Sequence, residues 1–171
     1  MSTIPKVLQD LDQWIRWDVE VGEDGKSRKK PRGKTSENIG QPWSKVADVK
    51  IGPEGGIGFR TSGRTIIAVE GVDYTLLAFD LDGCRCPKVG IVKLWATEFL
   101  KLWGDSFAEV TPSGTGFRQW ALVRDVPERV PTVKVAEAAP EGVDKTPEVE
   151  TFGTGRNRYV TVTGDKRPGR S

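Results

Sequence analysis

Two aspartates separated by one residue, Asp80 and Asp82, are the side chains of this sequence whose type and spacing best suit catalysis. They follow the apolar run Leu76 to Phe79 and precede Gly83, a pattern that predicts a buried strand ending in a turn. Side chains alternate along a strand, so the two carboxylates share one face, roughly 6–7 Å apart. Carboxylates so close repel each other, and a bound divalent cation would relieve the repulsion. The alternative is a strand end with both carboxylates in water.

The composition limits which metal such a site could hold. The sequence contains no histidine and only two cysteines, Cys84 and Cys86, so nitrogen and sulfur ligands are scarce. Carboxylate oxygens suit Mg²⁺ and Mn²⁺, and one of these is therefore the expected cofactor. The few cysteines also indicate reduced thiols in a cytoplasmic protein.

A second acidic stretch, Glu148-Val149-Glu150, places two further carboxylates on one strand face. Either glutamate could add a third carboxylate to Asp80 and Asp82 if the two strands are neighbours. Three carboxylates can hold two metal ions about 3.5–4 Å apart, the arrangement used for in-line displacement at phosphorus. An exposed strand face explains the same acidic pattern without any metal.

A glycine-rich stretch, Thr111-Pro112-Ser113-Gly114-Thr115-Gly116, predicts a tight turn between two strands. Its backbone N–H groups and hydroxyls suit the anionic oxygens of a phosphate. Arg118, at the start of the outgoing strand, can bind a phosphate through two guanidinium N–H groups. The alternative is an ordinary turn followed by an exposed arginine.

Charge is distributed unevenly along the chain, although the 171 residues carry a net charge of only +2. Residues 26–34 contain six basic residues and no acid, and residues 137–150 contain five acids and one lysine. The basic segment predicts contact with a polynucleotide backbone, and a solvated loop is the alternative. No stretch approaches 18 consecutive apolar residues, so neither a membrane-spanning segment nor a membrane partner is expected.

Hydrophobic periodicity predicts mixed helices and strands in a chain long enough for one domain with two lobes. The strand predicted over residues 14–21 alternates, with Trp14 on its polar face and Trp17 on its apolar face. Residues 88–103 have apolar residues at spacings of three and four, which predicts the longest helix. The other predictions are a short helix over residues 4–11, strands over residues 65–69, 107–111, 117–124, 148–152 and 158–163, and a loop with room for one short helix over residues 127–146.

Together these stretches resemble the primase–polymerase domain of the archaeo-eukaryotic primase superfamily, in the form found in phage and plasmid replication proteins. The resemblance covers most of the chain. Judged against the aromatic residue that follows, Glu150 matches the family's third acid better than Glu148. The matching residues are, in order, Ile4-Pro5, Gln13-Trp14-Ile15-Arg16-Trp17, Lys30-Pro31, Trp43-Ser44, Gly56-Ile57-Gly58-Phe59, Asp80-Leu81-Asp82-Gly83, the turn from Thr111 to Gly116, Glu148-Val149-Glu150, Arg158-Tyr159 and Thr163-Gly164.

The resemblance implies an α+β fold in which a small N-terminal α/β lobe packs on an RRM-like catalytic lobe with a mixed or antiparallel sheet. Residues 1–165 would form this domain, and residues 166–171 would begin a linker to a downstream helicase domain. The implied activity is template-directed nucleotidyl transfer by a DNA primase and DNA polymerase. Its substrates would be dNTPs or NTPs with a single-stranded DNA template and a primer. The location would be the cytoplasm, which for a phage protein is that of the host cell.

The resemblance also assigns roles to individual residues. Asp80, Asp82 and Glu150 would bind Mg²⁺ or Mn²⁺ and form the catalytic centre. The incoming nucleotide would be bound by Ser113, Gly114, Thr115, Gly116, Arg118 and Arg158, and the nucleic acid by Arg28, Lys29, Lys30, Arg32 and Lys34.

One departure from the family pattern concerns Arg118, which stands where the family usually has a histidine. Arginine keeps the positive charge and the donors for a phosphate but does not change protonation near neutral pH. The alternative function is therefore a nucleic-acid-binding module of a replication initiator with impaired catalysis. A generic two-metal nuclease is a third interpretation, which the triphosphate-type turn disfavours.

Overall fold

Two antiparallel sheets and one nine-residue helix make up most of the fold. The structure is a computed structural model that describes residues 3–32, 40–52, 54–61, 65–155 and 158–166. Lys34 and residues 167–171, which include most of the predicted linker, lie outside the described residues. The elements are, in chain order, α1 (Lys6–Gln9), β1 (Trp14–Val21), β2 (Ser27–Pro31), a 3₁₀ turn (Trp43–Lys45), β3 (Gly55–Thr61), β4 (Ile66–Val69), β5 (Val72–Asp82), α2 (Leu94–Leu102), β6 (Ala108–Val110), β7 (Phe117–Val123), β8 (Val133–Lys134), β9 (Glu148–Phe152) and β10 (Arg158–Val162).

The smaller sheet has four strands in the order β10-β3-β1-β2. Its members come from both ends of the chain, because the last strand, β10, pairs along its whole length with β3. β1 pairs with β3 on one side and with β2 on the other. The sheet built on the N-terminal strands is therefore completed by the C-terminal strand.

The larger sheet is organised around β5, which is the longest strand with 11 residues. β5 is central in the order β6-β7-β5-β9-β8, and its first residues pair with β4. The strand that carries Asp80 and Asp82 is therefore held by hydrogen bonds on both edges, to β7 and to β9. Antiparallel sheets with a helix on one face form an α+β architecture.

β5 separates two hydrophobic clusters because its alternate side chains point to opposite faces. Leu76 and Ala78 face the smaller sheet and pack into the cluster between the two sheets. Leu77, Phe79 and Leu81 face α2 and pack into the second cluster. Burial on both faces explains why this run is apolar at every position rather than at every second one.

The smaller sheet is strongly curled, and two glycines of β3 make room for the rings inside the curve. Tyr159 on β10 donates a hydrogen bond to the carbonyl of Lys29 on β2, 2.7 Å away, although these strands are the two edges of the sheet. A Cβ on Gly56 would lie 3.1 Å from the Trp17 ring, and one on Gly58 would lie 3.0 Å from the Tyr159 ring. Glycine fits under these rings without displacing them, whereas a Cβ would press against each ring.

Several sequence predictions are confirmed, and one concerning β1 is wrong. β1 and β9 have the predicted bounds. Trp14, however, was predicted on a polar face and is fully buried, with ring centroids 4.7 Å from Trp43 and 5.2 Å from Phe59. Both faces of the first half of β1 are covered, so its alternation does not separate core from solvent there.

The predictions for helices need a larger correction. The helix predicted over residues 88–103 begins only at Leu94, because the chain turns at Gly90, where φ is +73°. Ile91 and Leu102, two of the apolar residues whose spacing predicted this helix, are 65% and 77% exposed. Residues 127–146 contain the two-residue strand β8 and no helix, and all of them are described. Within the described part of the chain, no helix is long and apolar enough to cross a membrane.

Candidate functional site

The structure brings the predicted acids together on one face of the larger sheet. Asp80 on β5 lies directly opposite Glu150 on β9, and Asp82 lies opposite Glu148. Side chains directly opposite each other have Cβ atoms about 4.5–5.5 Å apart and point to the same side of the sheet. β5 and β9 are therefore neighbours, as a shared site requires, and all four carboxylates lie on the face that points to the smaller sheet.

Each of the three predicted metal ligands is paired with a cation. Within the described residues, no group of three or more acidic, cysteine or histidine side chains is arranged to hold a metal ion. A metal ion at this face would therefore have to replace cations that now hold the carboxylates. The pairs are Arg118 Nη2 with Asp80 Oδ2 at 2.7 Å, Lys145 Nζ with Asp82 Oδ2 at 3.3 Å, and Arg158 Nη1 with Glu150 Oε1 at 2.6 Å.

Lys145 is held beside Asp82 by a backbone crossing at Gly83. Gly83 has φ +63°, and a Cβ there would lie 2.8 Å from the Lys145 carbonyl oxygen and 3.0 Å from the Pro147 nitrogen. Glycine alone accommodates both this backbone conformation and the crossing chain. The only lysine of the acidic segment 137–150 is thereby placed against one of the predicted metal ligands.

Arg118 is buried beneath the acids instead of projecting from the turn. It is 4% exposed and shares its face with Trp120, which excludes the alternative of an exposed arginine. Its Nη2 donates to Asp80, and its Nη1 donates to the hydroxyl of Thr161, 3.1 Å away, and to the Thr161 carbonyl. The guanidinium therefore has two protein partners here, and its contact with a nucleotide phosphate stays a prediction.

The glycine-rich turn lies at the end of β5, next to the acids. A Cβ on Gly116 would lie 2.1 Å from the Leu81 carbonyl oxygen and 3.4 Å from the Cα of Asp82. The turn's hydroxyls bond to one another, since Ser113 Oγ is 2.8 Å from Thr115 Oγ1. The carbonyl of Gly114, a residue with φ +72°, accepts a hydrogen bond of 2.8 Å from Nη1 of Arg85. Sequence reasoning missed Arg85, whose role depends on this long-range contact.

Most of the described cations of the basic segment are paired on the outer face of the N-terminal hairpin. Each of these pairs is exposed, and exposed pairs contribute only about 0–1 kcal/mol. Their acids come from β1 or from the hairpin turn, so a phosphate could replace them at low cost. The pairs are Arg28 with Asp24 at 2.6 Å, Lys30 with Glu20 at 2.5 Å, and Arg32 with Asp18.

Lys29 points to the opposite, inner face of the same strand. Its Nζ lies 5.3 Å from the Trp17 ring centroid, and its carbonyl accepts the hydrogen bond from Tyr159. Lys29 is exposed as a whole residue, but its ammonium is partly enclosed. That burial lowers the pKa of Lys29, the charge of Arg118 lowers it further, and Asp80 raises it. Lys29 therefore belongs electrostatically to the acidic site, unlike its neighbours in sequence.

Glu109 is a site residue that sequence reasoning missed. It lies on β6 directly opposite Arg118 and is completely buried. Burial raises the pKa of its carboxyl, whereas Arg118 and hydrogen bonds from Thr163 and Gly164 lower it. The predicted turn at residues 111–116 joins β6 to β7, so pairing the two predicted strands as a hairpin would have placed Glu109 beside Arg118.

Two other features of the fold do not involve the predicted metal ligands. Burial raises the pKa of the Cys84 thiol to about 12, so this cysteine is no nucleophile, and neither Cys84 nor Cys86 forms a disulfide. A cavity of about 420 Å³ beside β1 and β3 is lined by residues that include Arg16 and Asp48 but none of the predicted metal ligands. This cavity is therefore separate from the predicted metal ligands.

No protein-family model matches the chain, and no curated protein is similar enough in sequence to count as a relative. Family membership therefore does not assign a function. The arrangement of Asp80, Asp82 and Glu150, with the cations and the turn around them, carries the functional conclusion instead.

Proposed function

We propose that this chain is a metal-dependent nucleotidyltransferase, acting as a DNA primase and DNA polymerase in phage or plasmid replication. The observation that carries the proposal is the register of β5 and β9, which sets Asp80 opposite Glu150 with Asp82 on the same face. These carboxylates come from distant parts of the chain. An acid cluster is costly to build, and a pure binding module has little use for one.

The donor set of the acids fits Mg²⁺ or Mn²⁺. All donors are carboxylate oxygens, and Oδ1 of Asp80 is buried without a hydrogen-bond partner among the described residues. Lys145 and Arg158 have side chains that are 48% and 45% exposed, so both cations can leave for solvent or for a phosphate. Bound metal ions would activate an attacking hydroxyl and stabilise the charge that develops at phosphorus.

The chain's own residues would bind and orient the nucleotide. The turn from Ser113 to Gly116 adjoins Asp82, so its N–H groups and hydroxyls are suited to a triphosphate beside the acids. Lys29, Lys145 and Arg158 are cations beside the acids that would meet the phosphates. Arg118, beneath the acids, holds the Asp80 carboxylate in place in the protein without metal.

The topology supports the proposed RRM-like catalytic lobe. The strands stand in the order β9-β5-β7-β6, all antiparallel, and α2 connects β5 to β6. A βαββαβ unit has the same strand order and carries a second helix before its last strand. In this chain residues 124–147 precede the corresponding strand, β9, and they contain the short strand β8 where the unit has that helix. The proposal is therefore a variant of that lobe in which a loop replaces the second helix.

The proposed partners are a single-stranded DNA template and a primer, with dNTPs or NTPs as substrates. The outer cations Arg28, Lys30 and Arg32 would exchange their exposed acid partners for template phosphates. A helicase domain in the same longer chain, and a location in the cytoplasm, are part of the same proposal.

A second function is favoured by the ion pairs themselves. Arg118 holds Asp80, and each of the other two acids also carries a protein cation, as in a site that has lost its metals. On this alternative the chain is a nucleic-acid-binding module of a replication initiator without catalysis. It would bind single-stranded DNA and incorporate no nucleotide.

Metal-dependent incorporation of dNTPs on primed and unprimed single-stranded DNA separates these functions. Asp82→Asn should abolish incorporation, because Asp82 is a predicted ligand whose carboxylate is only half-buried, so its loss should spare the fold. Asp73→Asn, the same substitution at the exposed start of β5, is the matched control and should leave incorporation unchanged. Full activity of Asp82→Asn, or DNA binding by the wild type without incorporation, would contradict the proposed enzyme.

A further inference from the structure

Glu109, a buried acid that the proposed chemistry does not use, stands in one row with the residues of the site. It lies on β6 opposite Arg118 on β7, and Arg118 lies opposite Asp80 on β5. Side chains at such positions point to the same face, with neighbouring Cβ atoms about 4.5–5.5 Å apart. One arginine is therefore flanked by two carboxylates, one of which is a predicted metal ligand.

The hydrogen bonds of Glu109 involve only one of its two oxygens. Its Oε2 accepts from the Thr163 nitrogen at 2.9 Å, from the Thr163 hydroxyl at 3.1 Å and from the Gly164 nitrogen at 2.8 Å. Its Oε1 is buried and has no hydrogen-bond partner among the residues that the structure describes. A buried carboxylate oxygen without a donor is costly, so this atom calls for an explanation.

Arg118 and Asp80 each have a matching unsatisfied atom. Nε of Arg118 and Oδ1 of Asp80 are also buried and without a partner in the described parts of the chain. The donor that Glu109 Oε1 lacks is thus present on the neighbouring strand. A change of rotamer, with no backbone movement, would bring the guanidinium from Asp80 toward Glu109.

We propose that Arg118 has two positions, one on Asp80 in the metal-free protein and one on Glu109 when Asp80 binds a divalent cation. This inference rests on the proposed function, which makes Asp80 a metal ligand. A guanidinium left on Asp80 would repel the metal and occupy a ligand oxygen. Glu109 is then a positioning residue that accepts the arginine and leaves the Asp80 carboxylate to the metal.

A purely structural role for Glu109 predicts something different. In that role Glu109 only anchors Thr163 and Gly164 at the exit of β10. Glutamine can accept the same three hydrogen bonds through its carbonyl oxygen but offers Arg118 no negative charge. Glu109→Gln therefore separates the anchoring role from the electrostatic one.

The first test is Mn²⁺ binding to the whole chain, measured by calorimetry without nucleotide. Glu109→Gln should weaken Mn²⁺ affinity about 10-fold, because Arg118 then competes for Asp80; that factor corresponds to about 1.4 kcal/mol. Glu98→Gln is the matched control, since Glu98 pairs with Lys101 on the exposed side of α2 and should leave affinity unchanged. Wild-type affinity in Glu109→Gln would overturn the inference.

The second test needs no variant and so stands even if Glu109→Gln does not fold. The Nε–Hε resonance of Arg118 is followed by nuclear magnetic resonance while Mg²⁺ is added to the wild type. This resonance and the amide resonance of Gly83, which is next to Asp82 in sequence, should both shift as the metal binds. A Gly83 shift without an Arg118 shift would overturn this inference but not the proposed metal site. If neither Mg²⁺ nor Mn²⁺ binds at all, the inference and the proposed metal site both fail.

Discussion

The acidic end of β5 and the basic strand β2 both concentrate charge, but their counterions come from different places. Asp80 and Asp82 are paired with Arg118 on another strand and with Lys145 in a distant loop. On the outer face of β2 and just after it, by contrast, every pair joins residues of one hairpin, namely Arg28 with Asp24, Lys30 with Glu20 and Arg32 with Asp18.

The difference in burial matters as much as the difference in origin. The Arg118 side chain is 5% exposed and that of Asp80 is 15% exposed, whereas the cations paired on the hairpin are more than half exposed. Breaking a buried pair by removing one partner costs about 3–5 kcal/mol, but an exposed pair contributes about 0–1 kcal/mol. The Arg118–Asp80 pair is therefore tied into the fold, whereas the exposed pairs of the basic hairpin can exchange partners freely.

The largest expected effect comes from removing the buried cation. Arg118→Met should lower the free energy of unfolding by about 3–5 kcal/mol, because Asp80 loses its buried ion-pair partner and Glu109 loses a nearby positive charge. Arg32→Met, which breaks an exposed pair of the hairpin, should cost about 1 kcal/mol or less. Urea unfolding at neutral pH measures both. Equal losses in the two variants would show that the two regions do not differ as described.

Two glycines with positive φ extend the comparison between the acidic region and the basic hairpin to the backbone. Gly83 has φ +63° and a crossing chain within 2.8 Å of its Cβ position, whereas Gly25 in the basic hairpin has φ +73° and nothing within 4 Å. Gly83→Ala should therefore cost about 2–3 kcal/mol and Gly25→Ala only about 1 kcal/mol. The midpoint temperature of thermal unfolding, measured for both variants, shows which loss of stability is larger. A Gly25→Ala loss as large as that of Gly83→Ala would mean that the crossing of Lys145 over Gly83 adds nothing.

The pH dependence of the free energy of unfolding should reveal the raised pKa of the buried Glu109 carboxyl. Burial raises the pKa of this carboxyl above 4.5, so the folded state holds its proton more tightly than the unfolded state. The stabilisation from that proton is fully present below the unfolded pKa and is lost as pH rises through the folded pKa. The unfolding free energy of the wild type, compared with Glu109→Gln, should thus fall as pH increases. A difference between the two proteins that does not change with pH would contradict this.

The smallest expected effect is on the salt dependence of DNA binding, and it should differ between variants on the two faces of β2. Replacing Arg28, Lys30 and Arg32 by glutamine should lower the salt slope of single-stranded DNA binding by up to about 1 per lost phosphate contact. Lys29→Gln should instead weaken nucleotide binding and leave that slope nearly unchanged, because Lys29 faces the acids. Fluorescence anisotropy over a range of salt measures the slopes. If Lys29→Gln reduces the slope as much as the outer variants, the inner face also binds the template.

Prediction from sequence succeeded where the information is local. Alternation along a strand places Asp80 and Asp82 on one face, and the bounds of β1 and β9 follow from the same pattern. Each of these features depends only on residues that are neighbours in sequence. The helix over residues 88–103 was less well predicted, because periodicity did not register the turn at Gly90.

The sequence by itself determined most of the strands, although not β2 or β8, together with the shared face of the two aspartates and the uneven placement of charge. Only the tertiary structure decided that Glu150 lies opposite Asp80, that Arg118 is buried between Asp80 and Glu109, and that Lys29 turns away from its neighbours. The physical reason is that side-chain periodicity is a property of one strand. The order of strands in a sheet, and hence the partner of each charge, depends on hydrogen bonds and packing between segments far apart in the chain.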